Sequence, residues 1–219
     1  ETTDPALQMW SFHELLFHTR SRVGRHRLPF GGTYRFLGKL PPLPAVKPVP
    51  EGWTSDGAEI VLPKPDLEQV AAQDPPFTRV LEARRSVRKY ASDPISLEQL
   101  GEFLYRALRI QHLMTHYAPV NLATSGNPAV GEWNGDPNSP LVPVELVLRP
   151  TPAGGALHEL ETYVVVNRCQ GLASGLYWYD PLHHRIHPAG RDEEAVKGLL
   201  NDAQRAAQVS MEPQVLIIL

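Results

Sequence analysis

The sequence predicts a domain built from both helices and strands, and three observations carry this. Thr162–Val166 (TYVVV) and Val215–Leu219 (VLIIL) are short, β-branched or wholly apolar runs of the kind that form buried strands. Gly175–Tyr179 and Arg185–His187 flank an Asp180-Pro181 turn, which is the pattern of a hairpin. Two stretches read as helices: about Leu97 to Ile110, with apolar residues at helical spacing, and Asp192 to Ala207, with acidic residues in its first turn.

The elements follow in chain order. Residues 5–23 set Leu7, Trp10, Leu15 and Phe17 among polar neighbours and read as a short helix with a basic tail from Arg20 to Arg27. Pro41 to Pro50 (PPLPAVKPVP) reads as an extended arm, because each proline lacks an amide donor and fixes φ. A passive spacer and a docking segment both fit it. Ile60-Val61-Leu62 before Pro63 is a candidate edge strand. A helix from about Pro76 to Arg84 carries Phe77, Val80 and Leu81 on one face and ends in RRSVRKY. The next helix begins at Ser96 and Gln99, which have capping-box spacing, and shows a stripe of Leu97, Leu100, Leu104, Ala107 and Leu108. Residues 111–140 show no periodicity and read as a long loop. Val142–Leu148 is a strand, and 151–159 (TPAGGALHE) is a glycine turn leading into a short helix or strand. Asp192, Glu193 and Glu194 sit in the first turn of the last helix, where its dipole favours them.

Composition excludes some functions. A net charge of −3 gives no basic footprint for nucleic acid or an anionic membrane. No apolar run approaches the roughly 20 residues that span a bilayer. Cys169 is the only cysteine, so an intramolecular disulfide is excluded and the cytoplasm is the simple compartment. ETTDPALQMW lacks the basic and apolar regions of a secretory signal and an initiator Met, so the chain is read as starting inside a longer protein. The wholly apolar run at Leu219 is read as a stop in mid-domain.

Two segments carry candidate chemistry. Arg84-Arg85-Ser86-Val87-Arg88 sets three guanidiniums and a hydroxyl within five residues, suited to a phosphate. A solvated basic helix end, complementing the dipole, is the plain alternative. Pro152-Ala153-Gly154-Gly155-Ala156-Leu157 would let backbone amides approach a planar ligand, and an ordinary turn is its alternative. The remaining candidates are weaker. His183, His184 and His187 read as solvated turn histidines rather than metal ligands. His112 and His116 lack the HExxH pattern. Arg168 beside Cys169 would lower the thiol pKa. Tyr177, Trp178 and Tyr179 read as alternating between core and surface.

In combination, these segments resemble a known family. RRSVRKY followed by a proline and SLEQL resembles the start of the nitroreductase domain. RPTPAGGALHELETYVVV and then GLASGLYWYDPLHHRI resemble the central segment of its SagB-type azoline dehydrogenase branch. SFHELL and the run ending in IVLPKPD resemble that branch's N-terminal extension. The likeness is weak before residue 59 and good over 76–110 and 149–190. It implies an N-terminal extension over 1–70 and the N-terminal portion of a nitroreductase-like domain over 71–219. That fold is α+β, with a central mixed, mostly antiparallel sheet flanked by helices. It also implies FMN at a homodimer interface, with Arg84 and Ser86 at the phosphate and ribityl chain and Arg88 at the pyrimidine end of the ring. Arg85 lies in the same motif, and Pro152, Ala153, Gly154 and Gly155 pass along the ring or ribityl group. The implied reaction oxidises thiazoline or oxazoline rings to azoles in a peptide or carrier-bound substrate. Ala153 stands where the family has a serine, and the family's Lys-Tyr pair and later flavin segments have no counterpart up to Leu219. Half a flavin site is therefore the most this segment is expected to hold. An NAD(P)H-dependent nitro- or quinone reductase and a non-catalytic module that binds a partner or leader peptide are the competing readings.

Overall fold

A computed structural model of the chain describes residues 4–22, 24–25, 36–50, 59–120, 138–153, 156–190 and 192–219. The chain forms two compact units, Glu1–Pro42 with Tyr117–Pro143, and Leu43–His116 with Val144–Leu219. The first unit holds helices α1 (Pro5–Gln8) and α2 (Phe12–Arg20). Ser11 caps α2 in a reciprocal box: its Oγ accepts the Glu14 amide at 3.3 Å, and Glu14 accepts the Ser11 amide at 2.8 Å. The expected helix over 5–23 is thus two helices broken at Ser11.

The second unit holds β1 (Ile60–Val61), α3 (Leu67–Gln73), α4 (Phe77–Ala83), β2 (Ile95–Ser96) and α5 (Leu97–Leu108). The strands β3 (His112–Pro119) and β4 (Leu141–Leu148) form a two-stranded ribbon. There follow β5 (Tyr163–Val166), β6 (Cys169–Gln170), β7 (Gly175–Asp180), β8 (Arg185–Gly190), α6 (Glu193–Ala207) and β9 (Val215–Ile218). The main sheet runs β1-β8-β7-β5-β9, and every pairing in it is antiparallel. The parallel pairing is the short β2–β6 contact. The result is an α+β fold with helices on both faces of the sheet.

Period-two alternation in β5 explains the layering. Val164 and Val166 face a core with Leu62, Leu100 and Leu104, whereas Val165 faces Val196 and Leu200 of α6. The stripe expected on α5 is therefore the face it buries, and the Ser96–Gln99 capping box starts that helix. Gly101 allows α5 to approach residue 63 closely, since a Cβ there would lie 2.8 Å from the Pro63 carbonyl oxygen.

Three sequence expectations change. Residues 112–119 are strand β3, not loop, because pairing with β4 supplies the hydrogen bonds that their sequence did not advertise. Residues 121–137 of that expected loop lie outside the described residues. Helix α3 was not foreseen, although Asp66 caps it by accepting the Glu68 and Gln69 amides. Tyr177, Trp178 and Tyr179 are all buried, since β7 is the third of five strands and is covered on both faces.

Candidate functional site

The Arg84–Arg88 segment leaves α4 at a C-cap, Arg84, whose backbone is already extended. The guanidiniums therefore begin at the C-cap and follow the helix, and their exposure agrees with a solvated basic helix end. Arg84, Arg85, Ser86 and Arg88 are exposed, and their side chains have no hydrogen bond or ion pair among the described residues. The segment is anchored just behind the arginines. Gln214, before β9, donates from Nε2 to the carbonyls of Ala91 at 2.7 Å and Asp93 at 2.9 Å, and its Oε1 accepts the Ile95 amide at 2.8 Å. Nothing in the sequence marks Gln214 for this role, because its partners lie more than a hundred residues earlier in the chain.

In the second segment Pro152 is exposed and Ala153 half-buried, while Gly154 and Gly155 lie outside the described residues. Ala156 and His158, immediately beyond, adopt left-handed φ values of 55° and 45°. Such a conformation is uncommon outside glycine, and strained backbone clusters where a loop must meet something. Among the described residues no hydrogen bond or ion pair joins Pro152 or Ala153 to the arginine segment. The donor set fits the phosphate end of a flavin nucleotide: three guanidiniums without carboxylate partners among the described residues, and the Ser86 hydroxyl. Among the described residues no contact builds the enclosure a flavin ring needs.

The β7–β8 turn holds the second cluster. Asp180 is buried and accepts four hydrogen bonds: the Leu182 amide at 2.9 Å, the His183 amide at 3.2 Å, His183 Nδ1 at 2.7 Å and Arg185 Nε at 3.0 Å. Arg185 also reaches Glu59 at 2.6 Å. Burial opposes the Asp180 charge, but the bonds from His183 and Arg185 and the two amides outweigh it and hold the carboxyl below its ordinary pKa.

His184 has a left-handed φ of 56°. Its Nε2 lies 3.0 Å from the Pro63 carbonyl, which can only accept, so Nε2 carries the proton. Nδ1 then accepts from the Tyr179 hydroxyl at 2.9 Å. Burial pushes the His184 pKa down. It does the same to His187, whose two ring nitrogens have no partner among the described residues.

Of the three histidines expected to be solvated, only His183 is exposed; the turn folds inward, and the Tyr179, Pro63 and Trp178 neighbours displace water from the other two. Cys169 also departs from expectation. Burial, with Glu98 nearby, raises its pKa, so Arg168 does not set it. His112 and His116 lie on a strand, about 13 Å apart along it, and not on one turn of a helix. Among the described residues no group of His, Cys, Asp and Glu is arranged to hold a metal, and no helix is long and apolar enough to cross a membrane.

Architecture and site together describe an α+β protein with an exposed cationic segment after α4. Comparison with known proteins adds the following. The family model described as cyanobactin oxidase ThcOx matches residues 1–27. A protein of Methanocaldococcus jannaschii, provisionally named a nitroreductase, is 29% identical over 163 residues, 74% of this chain and 62% of its own. A solved structure from Ralstonia eutropha JMP134, also provisionally named a nitroreductase, is 23% identical with a TM-score of 0.36, covering 74% of this chain and 51% of that one. The chain thus spans less than two thirds of the length of these relatives. The sequence matches support a nitroreductase-like affiliation.

Proposed function

We propose that the chain is part of an FMN-dependent oxidoreductase that oxidises thiazoline or oxazoline rings to azoles in a peptide or carrier-bound substrate, working as a homodimer in the cytoplasm. The observation that carries this reading is the open Arg84–Arg88 segment, whose guanidiniums lack carboxylate partners among the described residues. The match of residues 1–27 to the cyanobactin oxidase model supports the choice of substrate.

Bound FMN supplies a hydride acceptor for the ring carbon, with oxygen as the final oxidant. This chain's own part is binding and tuning. Arg84 and Ser86 hold the phosphate and ribityl chain, and the Gln214 clamp fixes the segment that presents them. Arg88 at the pyrimidine end favours negative charge on the reduced ring. Pro152, Ala153, Gly154 and Gly155 would pass along the ring or ribityl group, with Ala153 contributing shape where a serine would contribute a hydrogen bond.

The test is the flavin content of the purified full-length protein, by visible absorbance and mass identification of the released chromophore. Near-stoichiometric FMN is expected. The double substitution Arg84→Gln/Arg88→Gln is expected to lower it by about tenfold or more, the effect of losing charge-assisted bonds. Unchanged content in the double variant would remove the assignment. A thiazoline peptide should bleach the flavin without oxygen and lose two hydrogens. Bleaching by NADPH instead would favour a nitro- or quinone reductase, and a colourless protein that ignores excess FMN would favour a peptide-binding module.

A further inference from the structure

A cavity of about 290 Å³ lies at the end of α5, lined by Lys64, Tyr105, Arg109, Ile110, Gln111, Pro181, Leu182 and His184. Two of these residues are cations and none is a carboxylate. Lys64 has no ion pair among the described residues. Arg109 donates one guanidinium N–H to the Tyr105 carbonyl at 2.8 Å and stacks 4.7 Å over the Tyr105 ring, which leaves its other donors unused by any described carboxylate. The bond to Tyr105 matters twice. It holds the guanidinium in place, and it occupies a carbonyl at the C-terminus of α5 that would otherwise repel an anion.

Asp180 adjoins the lining, but its charge is committed to His183 and Arg185. His184, itself part of the lining, has its pKa lowered by burial and by the nearby Lys64 charge, and its Nε2–H donates to the Pro63 carbonyl. The floor is rigid: Tyr105 packs edge-on against the His184 ring at 4.9 Å, and the Ile110 amide donates to the Pro181 carbonyl at 2.9 Å.

Two positive charges, one of them held by Tyr105, around a small polar space with no lining carboxylate among the described residues match a dianion better than a neutral or singly charged group. A lysine point charge opposite an arginine fork is a common pair for phosphate. The volume lies at the lower end of the roughly 300–1,000 Å³ that small-molecule pockets span, so it holds a head group and not a whole nucleotide. We propose that this cavity binds the phosphate group of a small phosphorylated ligand, or free phosphate, at a site distinct from the Arg84–Arg88 segment.

The test is titration of the full-length protein with inorganic phosphate and with glycerol 3-phosphate at matched ionic strength, followed by calorimetry or ³¹P line broadening. Saturable binding is expected for the wild type. Lys64→Gln is expected to weaken it by about tenfold, the scale of one charge-assisted bond, and Lys64→Arg to restore most of it. Lys64 is exposed and its side chain makes no hydrogen bond or ion pair among the described residues, so the variant is expected to keep the fold. Tighter binding of glycerol 3-phosphate identifies an organic ester as the natural occupant, and equal binding identifies free phosphate. Absence of saturation, or equal affinity in wild type and Lys64→Gln, overturns the proposal. FMN affinity is expected to be unchanged in Lys64→Gln; a parallel loss of FMN would show that the cavity belongs to the cofactor and overturn the claim of a separate site. Because FMN and phosphate are read separately, failure of the flavin assignment leaves this test intact.

Discussion

The turn between β7 and β8 and the stretch from α4 to Arg88 both mix charged and apolar side chains, and the fold treats them in opposite ways. In the turn every charge has a defined partner inside the molecule: Asp180 takes four bonds, Arg185 spans Asp180 and Glu59, and the buried His184 bridges Pro63 and Tyr179. In the other stretch, Phe77, Val80, Leu81 and Val87 are exposed along with the arginines, and α4 buries no residue. Interior partners make the first region a source of stability. The second region has no such partners among the described residues and lies exposed.

The sharpest way to break that contrast is at Asp180. Asp180→Ala removes the acceptor for two amides, a histidine and an arginine together. Removing one partner of a buried pair leaves the other uncompensated, so a loss of about 3 kcal/mol is expected, read as a shift in the urea midpoint. A loss below about 1 kcal/mol would mean that water enters the turn and that the network is as loose as a surface ion pair.

The buried histidines give a smaller, pH-dependent effect. Burial holds both His184 and His187 below the ordinary value of 6.5. Between their depressed values and about 6.5 the unfolded chain therefore binds more protons than the fold. Stability is full above that window and declines as pH falls through it, by up to about 1.4 kcal/mol per pH unit for each ring. His187→Leu, which removes two unpartnered nitrogens beside Trp178, is expected to roughly halve the slope of the urea midpoint between pH 7 and 5. An unchanged slope would show that the His187 ring reaches water.

The same contrast explains what could be read from the chain. The strands at 163–166, 175–180 and 185–190 and the helices at 97–108 and 193–207 were legible, the Ser96 cap is a local signal, and Asp192, expected in the first turn of its helix, is the N-cap before it. The short β1 was legible as an edge because Pro63 follows it. The buried histidines were not. A polar turn reads as solvated unless one knows that the Pro63 carbonyl, more than a hundred residues earlier, folds onto it. Gln214 and the β3 ribbon hid for the same reason, since their partners are remote in sequence. Of the candidate site, residue types were legible but not geometry. Three guanidiniums in five residues announce an anion, whereas the chain's direction after α4 depends on a C-cap that the sequence does not mark.

The smallest expected effect tests the open side of the comparison. Phe77 is 74% exposed and begins a helix with no buried residue. In a single chain, Phe77→Ser removes little burial, and surface substitutions of this kind stay within about 0.5 kcal/mol. The urea midpoint should therefore barely move, and it should not depend on protein concentration. A larger loss that grows as the wild type is concentrated would show that this face is covered in solution by a second copy, because association stabilises by mass action whereas intrachain packing does not. The homodimer proposed above assigns no face, so that outcome would place its interface on α4, next to the arginines. It would also convert the exposed stretch from a free edge of one fold into half of a shared site.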